Sequence, residues 1–197
     1  MDSINHVQIY FYKIKVTMNQ YKTACGGTIN VSQKAKIHLE AHPNVFEHLR
    51  EAIERIHFPV SRKKIECEID MGRLIGRSGV VKTVPVLGSE RAKFALRANR
   101  KQPSRVSDTE KFGDETSRIV VIARPTPLET QYDLITAWIG TLAKKEPWDA
   151  SIGERTEFRE CLNYWSSRAL VYDPSTMGPV FDSSWTEVLS LGQCRFL

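Results

Sequence analysis

The stretch NVFEHLREAIERI (residues 44–56), followed by KIECEIDM (residues 64–71), decides the fold class because the hydrophobic period changes between the two segments. In the first segment, apolar residues recur at spacings of three and four between charged residues, which is typical of an amphipathic helix. In the second, apolar and charged residues alternate, which is typical of a strand with one buried face. A change from helical to strand period along one chain predicts an α+β protein.

N-terminal to this junction, the sequence predicts one strand and one short helix. Residues 7–16, VQIYFYKIKV, are rich in β-branched and aromatic types and favour a strand. Ser32 is a suitable N-cap for a helix that runs to about Ala41, and Pro43 ends that helix because the residue before a proline avoids the helical region. Together with the helix over residues 44–56, this predicts two N-terminal helices ahead of the sheet.

C-terminal to the junction, strand-period segments predict a meandering antiparallel sheet. A turn at residues 76–79 would join residues 65–71 and 80–86 into a hairpin. Residues 103–115 are predicted to form a polar loop. The remaining strands are predicted at residues 94–96, 118–124 and 132–138, the last two being the final strands of the sheet.

A helix that packs on the sheet is predicted near the C-terminus. Ser151 and Glu154 have the spacing of a capping box. Phe158, Leu162 and Trp165 then repeat at spacings of four and three and give this helix one apolar face. Beyond residue 174, the tail is expected to dock on the body through its large apolar residues, which are Phe181, Trp185, Val188 and Leu189.

The length and composition predict one cytosolic domain. A chain of 197 residues can bury one good core, which we place at residues 31–172, with residues 1–30 and 173–197 as decorations. No apolar run approaches the roughly 20 residues that a membrane-spanning helix needs. The N-terminal segment lacks the basic head, apolar stretch and cleavage site of a secretory signal, so we expect a cytoplasmic protein.

The cysteines and histidines predict neither a disulfide framework nor a metal site. The four cysteines lie far apart and form no CxxC pair, which favours reduced thiols. His38, His42 and His48 cluster in sequence, but no carboxylate accompanies them in an HExxH-like arrangement. We therefore expect no metal and no other cofactor.

The charge is distributed unevenly along the chain. Residues 1–105 carry 19 Lys and Arg against 9 Asp and Glu, whereas residues 106–197 carry 9 against 14. Residues 91–105, RAKFALRANRKQPSR, contain six basic residues and no acidic one. Phosphate contacts made by such a run release condensed counterions, so the asymmetry indicates a nucleic-acid partner, the alternative being a solvated basic loop.

The motifs of most common enzyme classes are missing. The segment GRLIGRSG (residues 72–79) fits neither GxGxxG nor GxxxxGK[ST], and we interpret it as a hairpin tip. What remains is histidine, arginine and hydroxyl residues on a basic sheet. This set suits RNA cleavage without metal, because the 2′-hydroxyl of RNA is the nucleophile and the protein supplies only proton carriers and cations.

Several short motifs follow one another in a definite order along residues 31–172. They are KAKIHLEAHP (34–43), MGRLIGR (71–77), FALR (94–97) with PSR (103–105), DLITAWIG (133–140) with EPWD (146–149), and YWSSRAL (164–170). In this order, and with two helices ahead of an antiparallel sheet, the chain resembles the small phage- and toxin-associated members of the barnase/EndoU/colicin/RelE-like nuclease superfamily.

The resemblance implies an endoribonuclease that leaves a 2′,3′-cyclic phosphate, with its active site on the open face of the sheet. It implies His38, Arg97 and Thr136 as the first catalytic candidates, followed by Arg77 and Arg105. An antitoxin or immunity protein is a possible partner besides RNA. The candidate RNA-binding residues are Arg73, Arg91, Lys93, Arg100, Lys101 and Arg105.

Two other function classes stay open. A non-catalytic RNA-binding or toxin–antitoxin partner protein would use the same basic face, and a structural protein of a phage particle would have no affinity for RNA. Trp138, Trp148 and Trp165 are more readily interpreted as core residues than as base-stacking platforms, most clearly Trp165 on its apolar helical face.

Overall fold

The computed structural model describes residues 19–40, 43–57, 63–98, 100–107, 113–191 and 196, apart from the side chains of His38, Glu40 and Pro43. The helices within these residues are α1 (Gln33–Glu40), α2 (Pro43–Glu54), α3 (Arg155–Ser166) and α4 (Trp185–Leu191). The strands are β1 (Asn19–Lys22), β2 (Thr28–Val31), β3 (Ile65–Asp70), β4 (Gly76–Arg77), β5 (Val80–Lys82), β6 (Arg91–Ala95), β7 (Ser104–Arg105), β8 (Glu115–Thr116), β9 (Arg118–Pro125), β10 (Gln131–Ile139), β11 (Arg168–Leu170) and β12 (Phe181–Ser184).

The largest sheet has five strands in the order β1-β2-β10-β9-β3. β10 is parallel to β2 and antiparallel to β9, and the other neighbouring strands are antiparallel. A register shift between Leu134 and Thr136 marks a bulge in β10. Because β2 precedes both N-terminal helices and β10 follows much later, pairing between distant parts of the chain builds the centre of this sheet.

The helices α1 and α2 pack on one face of this sheet and form the larger hydrophobic core with it. On α2, Leu49 and Ile53 are at most 1% exposed, while Arg50 between them lies in solvent. Burying one such side chain contributes about 1.5–3 kcal/mol. Tertiary packing of an apolar face, rather than intrinsic helix propensity, therefore stabilises these short helices.

A second hydrophobic core lies between α3, α4 and a group of short strands. The sheet β12-β6-β7 and the pair β11-β5 are joined by a parallel bridge between Val106 and Leu170. Phe94 of β6 is fully buried, and its ring meets the ring of Trp185 edge-on with 5.2 Å between centroids. The C-terminal segment is thus an integral part of this core.

The predicted α+β class, the two N-terminal helices and the helix near the C-terminus are confirmed. Ser32 caps α1 as expected, because its Oγ accepts a hydrogen bond from the Ala35 backbone N–H at 3.2 Å. The tail beyond residue 174 docks on the body as expected, and it forms β12 and α4 in doing so. The strand predicted at residues 7–16 lies outside the described residues, and the single-domain organisation stays a prediction.

The predicted hairpin between residues 65–71 and 80–86 does not form. β3 pairs with β9, and β5 pairs with β11. The sheet is also not a simple meander, since β10 lies between β2 and β9. Alternation of apolar and polar residues specifies which face of a strand is buried but not which strand lies beside it.

Three local predictions in the second half of the chain were also wrong. Residues 103–107 are buried instead of forming part of a polar loop, and they include β7. β10 is not the final strand, because β11 and β12 follow it. Helix α3 starts after Glu154, which makes no side-chain capping hydrogen bond. The capping box occurs at α4 instead, where Ser184 Oγ accepts from the Glu187 N–H and Glu187 Oε2 accepts from the Ser184 N–H.

Candidate functional site

The three first catalytic candidates are not brought together by the fold. Thr136 pairs with Ile122 on the sheet face opposite to its neighbour Ala137, which belongs to the core under the helices. The helix that carries His38 packs on the Ala137 face. Arg97 follows β6 in the second core region, where its backbone pairs with Met177. A site that uses His38, Arg97 and Thr136 together therefore has no support in this geometry.

Arg73 and Arg77 are exposed and paired with carboxylates. Arg73 donates to both carboxylate oxygens of Glu51, at 2.9 and 2.5 Å, and this pairing is the main reason why the pKa of Glu51 falls to about 2. Arg77 donates to Glu115 at 3.1 Å and to the Gly113 carbonyl at 3.1 Å. Exposed ion pairs are individually weak, so both arginines can exchange their partners at small cost.

The basic run at residues 91–105 is divided by the fold into three parts. Arg91 lies on the exposed side of β6, where it donates to both oxygens of Glu187 at 3.1 and 3.2 Å. Lys93, Arg100 and Lys101 are exposed, and no carboxylate of the described residues forms an ion pair with them. Arg105, in contrast, is only 6% exposed.

Arg105 holds together three segments of the second core region. Its guanidinium donates to the carbonyls of Val84 at 2.9 Å, of Trp165 at 3.1 Å and of Ser166. The last two carbonyls end α3, where the helix dipole is negative, so the cation is well placed without a carboxylate. This position differs from the expected one on an RNA-binding or catalytic surface, and we leave Arg105 out of the proposed site.

A nearly buried carboxyl lies where the loop after β6 meets the loop after β10. The Glu146 side chain is 11% exposed, and its Oε2 accepts a hydrogen bond from Arg97 Nη2 at 2.5 Å. Burial raises the pKa of Glu146, and the charge of Arg97 opposes this effect. The Ser104 hydroxyl and the charge of Arg100 also act to lower the pKa, although Ser104 falls short of full hydrogen-bond geometry.

Arg100 and Trp148 lie in the same two loops as this carboxyl. The Arg100 backbone N–H donates to the Arg97 carbonyl at 3.0 Å, which places the two arginines at opposite ends of one turn. The Arg100 guanidinium lies over the ring of Trp148, with 5.9 Å from Cζ to the ring centroid. We call Arg97, Arg100, Ser104, Glu146 and Trp148 the Glu146 cluster.

The Glu146 cluster has unused hydrogen-bonding capacity. Arg97 Nε and Ser104 Oγ are buried, and neither has a hydrogen-bond partner within the described part of the chain. Buried polar groups in proteins are almost always paired, so these two atoms are exceptions, and both lie beside the Glu146 carboxyl. The cluster therefore combines one carboxyl that can exchange a proton, two guanidinium groups and one aromatic face.

Sequence reasoning missed the burial of Glu146 and its pairing with Arg97. The residue stands in the quoted EPWD motif, but a lone glutamate after two lysines in a loop has no periodic pattern that marks it as buried. The signal that could have found it is the run of small and apolar residues around it, including Ala143, Pro147 and Trp148, which requires the loop to pack inward.

The described residues contain no group of three or more His, Cys, Asp or Glu side chains that could hold a metal ion. None of their helices has the length and apolar character needed to cross a bilayer. Comparison with protein-family models, with curated proteins and with solved structures gives no match for this chain.

Proposed function

We propose that this protein is a metal-independent endoribonuclease that cleaves RNA at the Glu146 cluster. The single observation that carries the proposal is a nearly buried carboxyl with a raised pKa, hydrogen-bonded to an arginine and flanked by a second one. Carboxyls whose pKa is shifted towards neutrality act as general acids and bases, and arginines bind phosphate oxygens. The basic first half of the chain and the superfamily resemblance point to RNA as the polyanion.

In this reaction, the 2′-oxygen of RNA attacks the neighbouring phosphorus, and the bond from phosphorus to the 5′-oxygen breaks. The products are a 2′,3′-cyclic phosphate and a free 5′-hydroxyl, and water is not consumed. Glu146 in its ionised form accepts the proton of the 2′-hydroxyl. Arg97 and Arg100 stabilise the negative charge that builds up on the phosphoryl oxygens.

Binding of a phosphate would change the pKa of Glu146. In the free protein, Arg97 is hydrogen-bonded to Glu146 and holds down the pKa of its carboxyl. When Arg97 turns to a phosphate oxygen, the carboxylate loses this cation and faces an added negative charge, and both changes raise its pKa. A carboxylate with a higher pKa is a stronger base but is ionised only at higher pH, so we expect Glu146 to act as the base at a pH above its raised pKa.

A second group must protonate the leaving 5′-oxygen. His38 is the sequence-based candidate, but the fold places its helix and Arg97 in different core regions, so we propose solvent water as the proton donor for this step. The helix α1, which carries His38, packs on the five-stranded sheet, and the His38 side chain lies outside the described set. We therefore expect His38→Ala to cleave at the wild-type rate.

The proposal is tested by incubating wild-type protein and Glu146→Gln with a short single-stranded RNA in EDTA. We expect cleavage by the wild type and a loss of about 10² to 10⁴ in rate for Glu146→Gln. Glu54→Gln is the matched control, because Glu54 also forms an Arg–Glu hydrogen bond, with Arg50, but on the exposed side of α2. Mass spectrometry should identify the 2′,3′-cyclic phosphate.

Two results would contradict the enzyme proposal. RNA with a 2′-deoxy sugar at the cleaved position must resist cleavage, so cutting at that position would exclude 2′-hydroxyl attack. RNA binding without cleavage by the wild type would favour the non-catalytic RNA-binding or toxin–antitoxin partner instead. An antitoxin or immunity protein that inhibits the enzyme stays a hypothesis, and it would need acidic groups to compete with phosphate.

A further inference from the structure

The ring of Trp148 is held rigidly beside the cations of the Glu146 cluster. Its indole Nε1–H donates to the Pro103 carbonyl at 3.1 Å, and the preceding Pro147 is buried. These two anchors fix the orientation of the ring, and the indole itself is half-buried. The ring packs against the second hydrophobic core, and it also lies next to an exposed cation, Arg100.

The contact between Arg100 and Trp148 is a loose one. The distance of 5.9 Å is close to the outer limit of about 6 Å for a cation–π contact. Arg168, by comparison, lies 4.3 Å from the ring centroid of Tyr164. Because Arg100 is exposed and forms no ion pair with a described carboxylate, it can leave the ring for a phosphate and so uncover the indole face.

The indole ring and the proposed catalytic carboxyl are linked through Arg100. Trp148 follows Glu146 by two residues, and Arg100 is close enough to both to contact the ring and to lower the pKa of the carboxyl. A phosphate bound by Arg100 would therefore lie near the ring of Trp148.

We infer that Trp148 stacks an unpaired base, so that the substrate is single-stranded RNA. This inference rests on the proposed function and names its substrate class. A base inside a duplex is already stacked on both faces, and A-form helices are recognised mainly through shape and backbone. Stacking on an aromatic side chain is the usual way in which proteins bind single strands.

Binding is measured by fluorescence anisotropy with a labelled 2′-fluoro oligonucleotide, which lacks the 2′-hydroxyl and is not cleaved. The same strand is presented alone and annealed to its complement. Wild-type protein should bind the single strand at least about tenfold more tightly than the duplex, and Trp148→Leu should weaken binding of the single strand by about 5- to 100-fold. Trp148→Phe, which keeps an aromatic face, should lose much less.

Trp138→Leu is the matched control. Trp138 is also partly exposed, and its Nε1–H also donates to a backbone carbonyl, that of Thr141 at 3.1 Å. It lies on the five-stranded sheet, and its loss should leave the affinity for RNA unchanged. Thermal unfolding of each variant reports whether it is folded.

An abasic scan keeps the test valid even if Trp148→Leu folds poorly. Each base of the strand is removed in turn, and one position should weaken binding to wild type as much as the Trp148 substitution does. Removing that base should cost Trp148→Leu almost nothing more, because the two changes remove the same contact.

The two proposals can fail separately. If the wild type binds and cleaves RNA but prefers the duplex, or if both Trp148 variants bind like wild type, the stacking inference is overturned and the nuclease proposal survives. If no form of RNA is bound, both are overturned.

Discussion

Burial and the nearby positive charge act in opposite directions on the pKa of Glu146. Removal from water penalises the carboxylate, and the cation of Arg97 favours it, with burial the larger effect. The consequence is a carboxyl that holds its proton more tightly in the folded protein than in the unfolded chain. Such a residue contributes stability in acid and loses that contribution as the pH rises.

The pH dependence of stability can therefore be predicted for Glu146→Gln. The contribution of Glu146 is fully present below the unfolded pKa of about 4.3 and is lost as the pH rises through the higher folded value. The free energy of unfolding of wild type minus that of Glu146→Gln should thus fall as the pH increases across this window. Urea denaturation at a series of pH values measures this difference, in which the contributions of all other groups cancel.

Glu51 provides a control with the opposite sign. Its hydrogen bond from Arg73 lowers its pKa to about 2, so its contribution is present above the unfolded pKa and is lost as the pH falls towards the folded value. The corresponding difference for Glu51→Gln should rise with pH between about 2 and about 4.3. A Glu146 difference that also rises with pH would show that burial does not dominate at that residue.

The roles of single residues were predictable where the signal is local. Ser32 caps α1 because a cap depends only on the residue type and the next three backbone N–H groups. Arg105 could not be predicted in the same way, since the carbonyls that it binds lie 21, 60 and 61 residues away in the chain. Its position between basic neighbours indicated a surface, whereas long-range contacts bury it.

The two C-terminal helices, α3 and α4, differ in whether a Ser-x-x-Glu sequence caps their N-terminus. Both Ser151-x-x-Glu154 and Ser184-x-x-Glu187 have capping-box spacing, but only the second forms the reciprocal hydrogen bonds. Ser184→Ala should lower the free energy of unfolding by about 1 kcal/mol, a typical value for loss of an N-cap. Ser151→Ala, measured by the same chemical denaturation, should stay within about 0.5 kcal/mol of wild type.

An equal loss for both serine variants would contradict this assignment of the caps. Ser151 is the appropriate control because its Oγ bonds to the Asp149 carboxylate within an exposed turn before α3 rather than to a helical N–H. The helix that follows starts at Arg155, where Gly153 and Lys145 instead bond to Glu157.

The type of each element was easier to predict than its partner. The apolar spacing on residues 44–56 has a single structural solution, a helix with one buried face, and α2 follows it. The alternation of apolar and charged residues on β3 is compatible with pairing to β5 as well as with pairing to β9. Pairing with β9 is favoured because it buries Ile65 and Ile69 in the core that α2 forms with the same sheet. This long-range contact cannot be inferred from the local sequence pattern.

Across the whole molecule, the charge asymmetry of the sequence is partly cancelled by pairing between the two halves. Arg77, Arg91 and Arg97 from the basic half are paired with Glu115, Glu187 and Glu146 from the acidic half. The strands β9 and β10 of the acidic half also lie between β2 and β3 of the basic half. A linear count of charges therefore overstates the positive field that a nucleic acid would meet.

The salt dependence of RNA binding measures how many basic side chains still contact phosphates after this pairing. If all six basic residues of residues 91–105 contacted phosphates, the logarithm of affinity would fall with the logarithm of salt concentration with a slope of about 4, at about 0.7 per contact. The fold leaves Lys93, Arg100 and Lys101 exposed without ion pairs to described carboxylates, and it buries Arg105. Arg91 and Arg97 exchange one anion for another and so release few counterions. We therefore expect a slope of about 2 for a non-cleavable single strand.

Paired lysine variants locate the contacts that produce this slope. Lys93→Gln with Lys101→Gln should reduce it by about 1.4, because two phosphate contacts are lost. The control double variant, Lys22→Gln with Lys34→Gln, removes the same charge from β1 and α1, which belong to the other core region. It should lower the affinity only slightly and leave the slope unchanged. A slope that falls equally in both double variants would mean that RNA responds to net charge alone, and the surface around β6 would then have no special role in binding.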